Sequence, residues 1–277
     1  MRSTLLLIVL FFIKGMAIAQ TTTGRKLVFD DEFNYNGLPD PSKWGYEKGF
    51  VRGEEPQYYT VNRLENARVE NGMLVIEGRK EQFPNPGYKA GSTKRAEREE
   101  FAPYTSASIN TYGKHSWKYG RMEIRAKVPP GKGTWPAFWM LGDDHETNKW
   151  PKCGEIDILE YLGRDSTRVH ATVHYADSVG KHQQQGNAPQ VAKQVADGFH
   201  IYAVEWDNKG MTFYYDQMKY YYFDYKKMIG NDGKVFNNKK FYILLNLALG
   251  AKGDWGGPQD DSILPAKYYV DYVRVYQ

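Results

Sequence analysis

Apolar and polar residues alternate along this chain in short runs of period two, separated by clusters of Gly, Pro, Asn and Asp. Strand side chains point to opposite faces in turn, so each run predicts a strand with one buried face. The clearest runs are 26–33, 73–79, 106–111, 119–128, 134–141, 169–175, 199–206, 211–215, 241–249 and 268–276. Asn71-Gly72 sits between two alternating runs and predicts a two-residue hairpin turn, because Asn and Gly both tolerate positive φ. Residues 82–103 are charged and contain Gly and Pro, and predict a long surface loop. No stretch carries the periodicity of a three-turn amphipathic helix, and no internal repeat stands out. Short strands spread over most of the chain predict an all-β sandwich, with a single domain over residues 20–277.

One run breaks the rule. Residues 153–163 read Cys-Gly-Glu-Ile-Asp-Ile-Leu-Glu-Tyr-Leu-Gly, with Glu155, Asp157 and Glu160 separated only by aliphatics. Like charges repel and raise one another's pKa, so this clustering adds nothing to stability. On a flat strand Glu155 and Asp157 share a face while Glu160 points into the core, where an unpaired charge is costly. A β-bulge near Ile158 or Leu159 removes the conflict and turns all three acids outward. Four effective steps then separate the glutamate backbones by about 13 Å. Side chains leaning inward bring the carboxylates to roughly 5 Å, the spacing of a retaining glycosidase.

In Trp135-Pro-Ala-Phe-Trp139, Trp135, Ala137 and Trp139 share one face and Pro136 and Phe138 the other. A small residue between two indoles predicts an open aromatic shelf beside the acids, suited to the C–H faces of sugar rings. The alternative is that both indoles are core. His174 lies on a strand predicted to pair near the acids, as a contact or as a structural histidine. No His/Cys set has zinc spacing, and neither a serine elbow nor a phosphate loop is present. Metal-dependent and serine-nucleophile chemistry are therefore set aside.

Composition narrows the setting. Residues 1–19 have Arg2, an apolar run from Leu5 to Ile13 and Ala17-Ile18-Ala19, and predict a cleaved secretory signal. The run is too short to span a bilayer, so no membrane anchor is expected after cleavage, and the mature protein is expected to be secreted. The formal charge of +4 is spread among acids and gives no footprint for nucleic acid. Cys153 is the only cysteine, which excludes an intrachain disulfide. Aromatic residues make up 15% of the chain, fitting a β-rich core or flat ligand-stacking surfaces.

Assembled in order, these stretches resemble glycoside hydrolase family 16, in its laminarinase-like branch. The matching segments include Phe29-Asp-Asp-Glu-Phe33, Gln57-Tyr-Tyr59, Asn66-Ala-Arg-Val69, Gly133-Thr-Trp-Pro-Ala-Phe-Trp139, Gly154-Glu-Ile-Asp-Ile-Leu-Glu160, Asn246-Leu-Ala-Leu-Gly250 and Val270-Asp-Tyr-Val-Arg-Val-Tyr276. The resemblance implies a jelly roll of two antiparallel sheets with a concave cleft, and hydrolysis of a polysaccharide with retention. It implies Glu155 as nucleophile, Asp157 as its helper and Glu160 as acid/base, with no cofactor required for catalysis. The bulged spacing is similar to laminarinases, which implies an endo-β-1,3-glucanase also acting on mixed β-1,3/1,4-glucan. Two segments depart from the family pattern, Gly53 in 51–55 and the long turn 251–257. Both are expected along the cleft, making Arg52 and Trp255 candidate sugar contacts beside Trp135, Trp139 and His174. The same chemistry on a galactan (agarose, porphyran or carrageenan) is an alternative, and Arg52, Lys252 and the basic stretch Lys94–Arg98 keep the sulfated ones open as substrates. A non-catalytic glucan-binding protein on the same scaffold is a further alternative. Some relatives hold a structural calcium, and here its ligands would be Glu32, the Gly72 carbonyl and Asp271. A monomer is expected, since a polysaccharide cleft must stay open to long chains.

Overall fold

The computed structural model describes residues 24–191 and 193–277, so the predicted signal at 1–19 lies outside the described residues. Two sheets of antiparallel character face each other, with one parallel pairing between Gln57–Tyr59 and Phe101–Ser106. The seven-stranded sheet runs His182–Asn187, His170–Ala176, Glu155–Glu160, Thr134–Gly142, Phe241–Leu249, Ser108–Asn110 and Gly45–Tyr46 in spatial order. The ten-stranded sheet is centred on Gly120–Lys127, Ala266–Tyr276 and Met73–Pro84. The two α-helices among the described residues span only Arg95–Arg98 and Lys234–Asn237. The chain is an all-β sandwich, as its alternation predicts, and a jelly roll, as the family resemblance implies.

The core is what the inward halves of these strands bury against one another. From the seven-stranded sheet come Phe138, Met140, Ile156, Ile158, Leu159, Ile243 and Leu245, all fully buried. Leu74, Ile76, Met122, Ile124, Val204 and Val273 meet them from the other sheet. Burying one such side chain contributes roughly 1.5–3 kcal/mol, so the shared core fixes the register of every strand in it. On the outer face of the seven-stranded sheet a second, small cluster holds Ala137, Trp139, Tyr242 and Leu244. Strand Phe241–Leu249 is buried along its whole length because it is covered on both faces, which explains its near-continuous apolar sequence.

Three departures from the sequence reading have physical causes. Strands His182–Asn187 and Met218–Asp224 were not predicted, and both are sheet edges. The first reads His-Gln-Gln-Gln-Gly-Asn, with no apolar face to bury, and its pairing comes from backbone bonds to His170–Ala176. The predicted loop 82–103 is shorter: strand Met73–Pro84 and strand Phe101–Ser106 extend into it and pair. Its remainder folds over Asn85, whose Nδ2 donates to the carbonyls of Ala96 and Glu99 at 3.0 and 2.8 Å. The run 106–111 is also interrupted, with separate strands on either side of Ala107.

The hairpin at Asn71-Gly72 forms as predicted, with Glu70 paired to Met73 across two residues at φ 55° and 74°. Both angles are left-handed, the geometry that matches strand twist. Gly72→Val is expected to lower stability by about 1–2 kcal/mol through that conformation, since a Cβ there would meet Asn34 Oδ1 at 4.0 Å, an ordinary contact. Urea denaturation measures it; an unchanged midpoint would contradict the turn.

Candidate active site

Strand Glu155–Glu160 carries the predicted bulge. Against Thr134–Gly142 the register slips between Asp157 and Leu159, and against His170–Ala176 it slips between Asp157 and Glu160. Ile156, Ile158 and Leu159 are fully buried in the core, while Glu155, Asp157 and Glu160 line a cleft of about 560 Å³. The bulge therefore does what the spacing required. It spends one extra backbone residue to keep two neighbouring aliphatics inside and the third acid outside.

Each acid has its own neighbours. Trp135 Nε1 donates to Glu160 Oε1 at 3.1 Å. His174 Nε2 stands 3.2 Å from Asp157 Oδ2 and 3.8 Å from Glu155 Oε1, because His174 pairs directly with Glu155 across the sheet. Asp157 Oδ2 is buried and makes no hydrogen bond. Behind His174, its Nδ1 lies 2.9 Å from His182 Nε2, and the two rings stack. Trp150 closes the row against His182, with ring centroids 4.5 Å apart.

Burial pushes all three carboxyl groups up, but not for equal reasons. Glu155 is raised to about 8 by desolvation and by the charge of Asp157; His174, Arg52 and a hydrogen bond from Trp150 pull it back down. Asp157 is raised by desolvation, with its hydrogen bond to Glu155 opposing. Glu160 is raised by desolvation and then by the charges of Asp157 and Glu155, and only the Trp135 bond favours its ionised form. The first negative charge is thus best placed on the Glu155/Asp157 side, near a cation, and its presence keeps the proton on Glu160.

The aromatic shelf is built differently from the expectation. Trp135 and Trp139 do share the outer face, but Trp139 is only 7% exposed. Its Nε1 donates to Asn246 Oδ1 at 2.7 Å, and the Arg52 guanidinium covers its ring at 5.2 Å. Arg52 is itself anchored by two bonds to Glu47 at 2.8 and 2.7 Å. The open aromatic corner is instead Trp135 with Trp255, whose rings meet edge-on at 5.3 Å. Trp255 is 40% exposed and its loop is tied down by Arg164, which donates to the Trp255 carbonyl at 3.1 and 2.9 Å. So Trp135, Trp139, His174, Arg52 and Trp255 all line the cleft, with Trp139 and Arg52 as one packed unit. Sequence reasoning assigned no role to Asn246, Trp150 or His182. Asn246 sat inside a recognised motif and Trp150 just before the acidic run, but His182 lies on the unpredicted edge strand.

Both carboxylates of the expected calcium set have arginine partners. Arg274 donates to Glu32 Oε1 and Oε2 at 2.7 and 2.9 Å, and Arg125 donates to Asp271 Oδ2 at 2.7 Å. Glu32 is thus gripped on both oxygens and Asp271 on one.

A cleft with clustered carboxylates and an aromatic corner on an antiparallel sandwich defines a glycoside hydrolase. Residues 54–274 match the model of Glycosyl hydrolases family 16, and the chain belongs to that family. It is 41% identical over 264 residues to the beta-glucanase of Rhodothermus marinus, covering 91% of this chain and 85% of that protein. The X-ray structure of the laminarinase from Rhodothermus marinus superposes with a TM-score of 0.76 at 41% identity, over 91% of this chain and 97% of that one. Another structure, from work on endo-acting O-glycanases that human gut microbiota express to initiate mucin breakdown, gives 0.81 at 36% identity over 92% of each chain. Catalysis in this family needs no cofactor.

The raised carboxyl groups have a consequence for stability. A group whose folded pKa lies above its unfolded value of about 4.3 favours folding at low pH and loses that contribution as pH rises through the folded value. For Glu155 that window runs from the ordinary carboxylate range up to about 8, and Glu160 shifts in the same direction. Glu160→Gln is therefore expected to raise Tm by about 3–8 °C at pH 8 and by little at pH 4. Calorimetry at both pH values checks this, and a variant that melts lower at pH 8 would contradict it.

Proposed function

We propose that this protein is a secreted, retaining endo-β-1,3-glucanase that cuts laminarin and, as a second substrate, mixed-linkage β-1,3/1,4-glucan, acting as a monomer. The observation that carries the reading is the bulged acidic strand, with three acids on one cleft face in unequal electrostatic surroundings. The Rhodothermus marinus relatives, named for β-glucan and laminarin, support the substrate.

In the proposed mechanism ionised Glu155 attacks the anomeric carbon while Glu160 gives its proton to the glycosidic oxygen, and the C–O bond breaks. A glycosyl ester on Glu155 results. Glu160, now a carboxylate, takes a proton from water, whose oxygen attacks the same carbon and frees Glu155. Asp157 hydrogen-bonds Glu155 and shares the proton of the pair. Trp135 fixes Glu160 by its indole N–H and, with Trp255, offers the apolar faces for a sugar ring.

Glu155→Ser is expected to reduce release of reducing ends from laminarin by roughly 10³-fold or more while the far-UV spectrum is unchanged. Wild-type rates in that variant would refute the nucleophile assignment, and a wild-type protein that binds laminarin without releasing ends would be a binding module. The same assay on lichenan, agarose, porphyran and carrageenan decides between glucan and galactan; the expected order puts laminarin first.

The pH dependence follows from the shifts. The acid limb of kcat/KM reports Glu155 losing its proton, so it is expected above the ordinary carboxylate range. Arg52 stabilises the ionised form of Glu155, hence Arg52→Met is expected to move that limb to higher pH. A limb that stays in place, or moves to lower pH, would remove Arg52 from the electrostatics of the nucleophile.

A further inference from the structure

Three ligand-type atoms converge at the Glu155 end of the cleft. One atom each from Glu155, Asp157 and His174 lies within 4.8 Å of the others. His174 Nε2 is 3.2 Å from Asp157 Oδ2 and 3.8 Å from Glu155 Oε1. Two donors at bonds of about 2.0–2.2 Å around a tetrahedral Zn²⁺ are separated by about 3.4 Å, so these spacings bracket that edge. Mg²⁺ and Ca²⁺ call for all-oxygen shells, whereas an imidazole with two carboxylates suits Zn²⁺ or Cu²⁺.

Two further observations point the same way. Asp157 is 3% exposed, yet its Oδ2, aimed at this set, has no hydrogen-bond partner. The nitrogen facing it is His174 Nε2, at 3.2 Å, and a cation held between the two would satisfy a buried oxygen that makes no hydrogen bond of its own. His174 is also oriented as a metal ligand would be. Its Nδ1 is engaged by His182 at 2.9 Å, and that outer partner leaves Nε2 facing the carboxylates. The set opens into the cleft, so the fourth position is accessible to solvent.

We propose that Glu155, Asp157 and His174 form a reversible binding site for a borderline transition-metal dication, Zn²⁺ or Cu²⁺, oriented by His182, and that the bound ion competes with substrate. Ion binding does not depend on which glycan is cut, so it is measured without turnover. The ion occupies the carboxylate oxygen pairs of Glu155 that would attack the anomeric carbon, which makes inhibition competitive.

Calorimetric titration of the full protein at pH 7 with ZnCl₂ alone tests it. The expected result is one ion per chain with Kd on the order of 10 µM, no comparable binding of MgCl₂, and a rise in Tm with Zn²⁺. His174→Ala is expected to weaken binding at least 10-fold and Asp157→Asn by a similar factor, while His182→Ala weakens it by about 10-fold through orientation. Because each variant's melting curve is recorded alongside, a folded His174→Ala that binds Zn²⁺ like wild type overturns the proposal. So does a wild-type protein that takes up no Zn²⁺ below 1 mM, or Zn²⁺ that binds but leaves the KM for the polysaccharide unchanged.

Discussion

Everything in the site depends on one backbone irregularity, the bulge at Ile158. Without it the two-residue period of strand Glu155–Glu160 would send Glu160 into the core and Leu159 into the cleft. With it, Ile156, Ile158 and Leu159 stay fully buried between the sheets and the acids stay together outside. The free energy that holds three like-charged groups on one face comes from that apolar burial. The acids themselves oppose it, as their raised proton affinities record. The fold is stable in spite of its site rather than because of it.

The same strand shows how symmetric chemistry becomes asymmetric. Glu155 and Glu160 are identical side chains at equivalent faces. What separates them is the neighbouring strands: Arg52, His174 and Trp150 gather at Glu155, and only the Trp135 indole reaches Glu160. A cation near one carboxylate and two acids near the other are enough to divide one proton unequally. In the proposed mechanism that division is the assignment of nucleophile and acid.

Much of this was legible beforehand, and the reasons are local. The bulge followed from the conflict between period and charge in six residues, and the Asn71-Gly72 turn from two residues that tolerate positive φ. The inner strands were readable because burial on one face enforces alternation. The edge strand His182–Asn187 has no such constraint, so it was missed, and His182 with it. Trp139 lines the cleft as expected but is covered, because alternation gives the face of a side chain and not what lies across it; Arg52, far away in sequence, packs on its ring. The ion pairs of Glu32 and Asp271 were hidden for the same reason, since their arginine partners come from other strands.

The most direct measurement is to trap the proposed covalent intermediate. A 2-deoxy-2-fluoro β-glycoside of laminaribiose with an activated leaving group, incubated with the wild-type protein and followed by proteolysis and mass spectrometry of the peptides, reports which carboxylate attacks. The account predicts a single added mass on Glu155, blocked by excess laminari-oligosaccharide. Labelling of Glu160 or Asp157 in its place would contradict the division of roles on which the account rests.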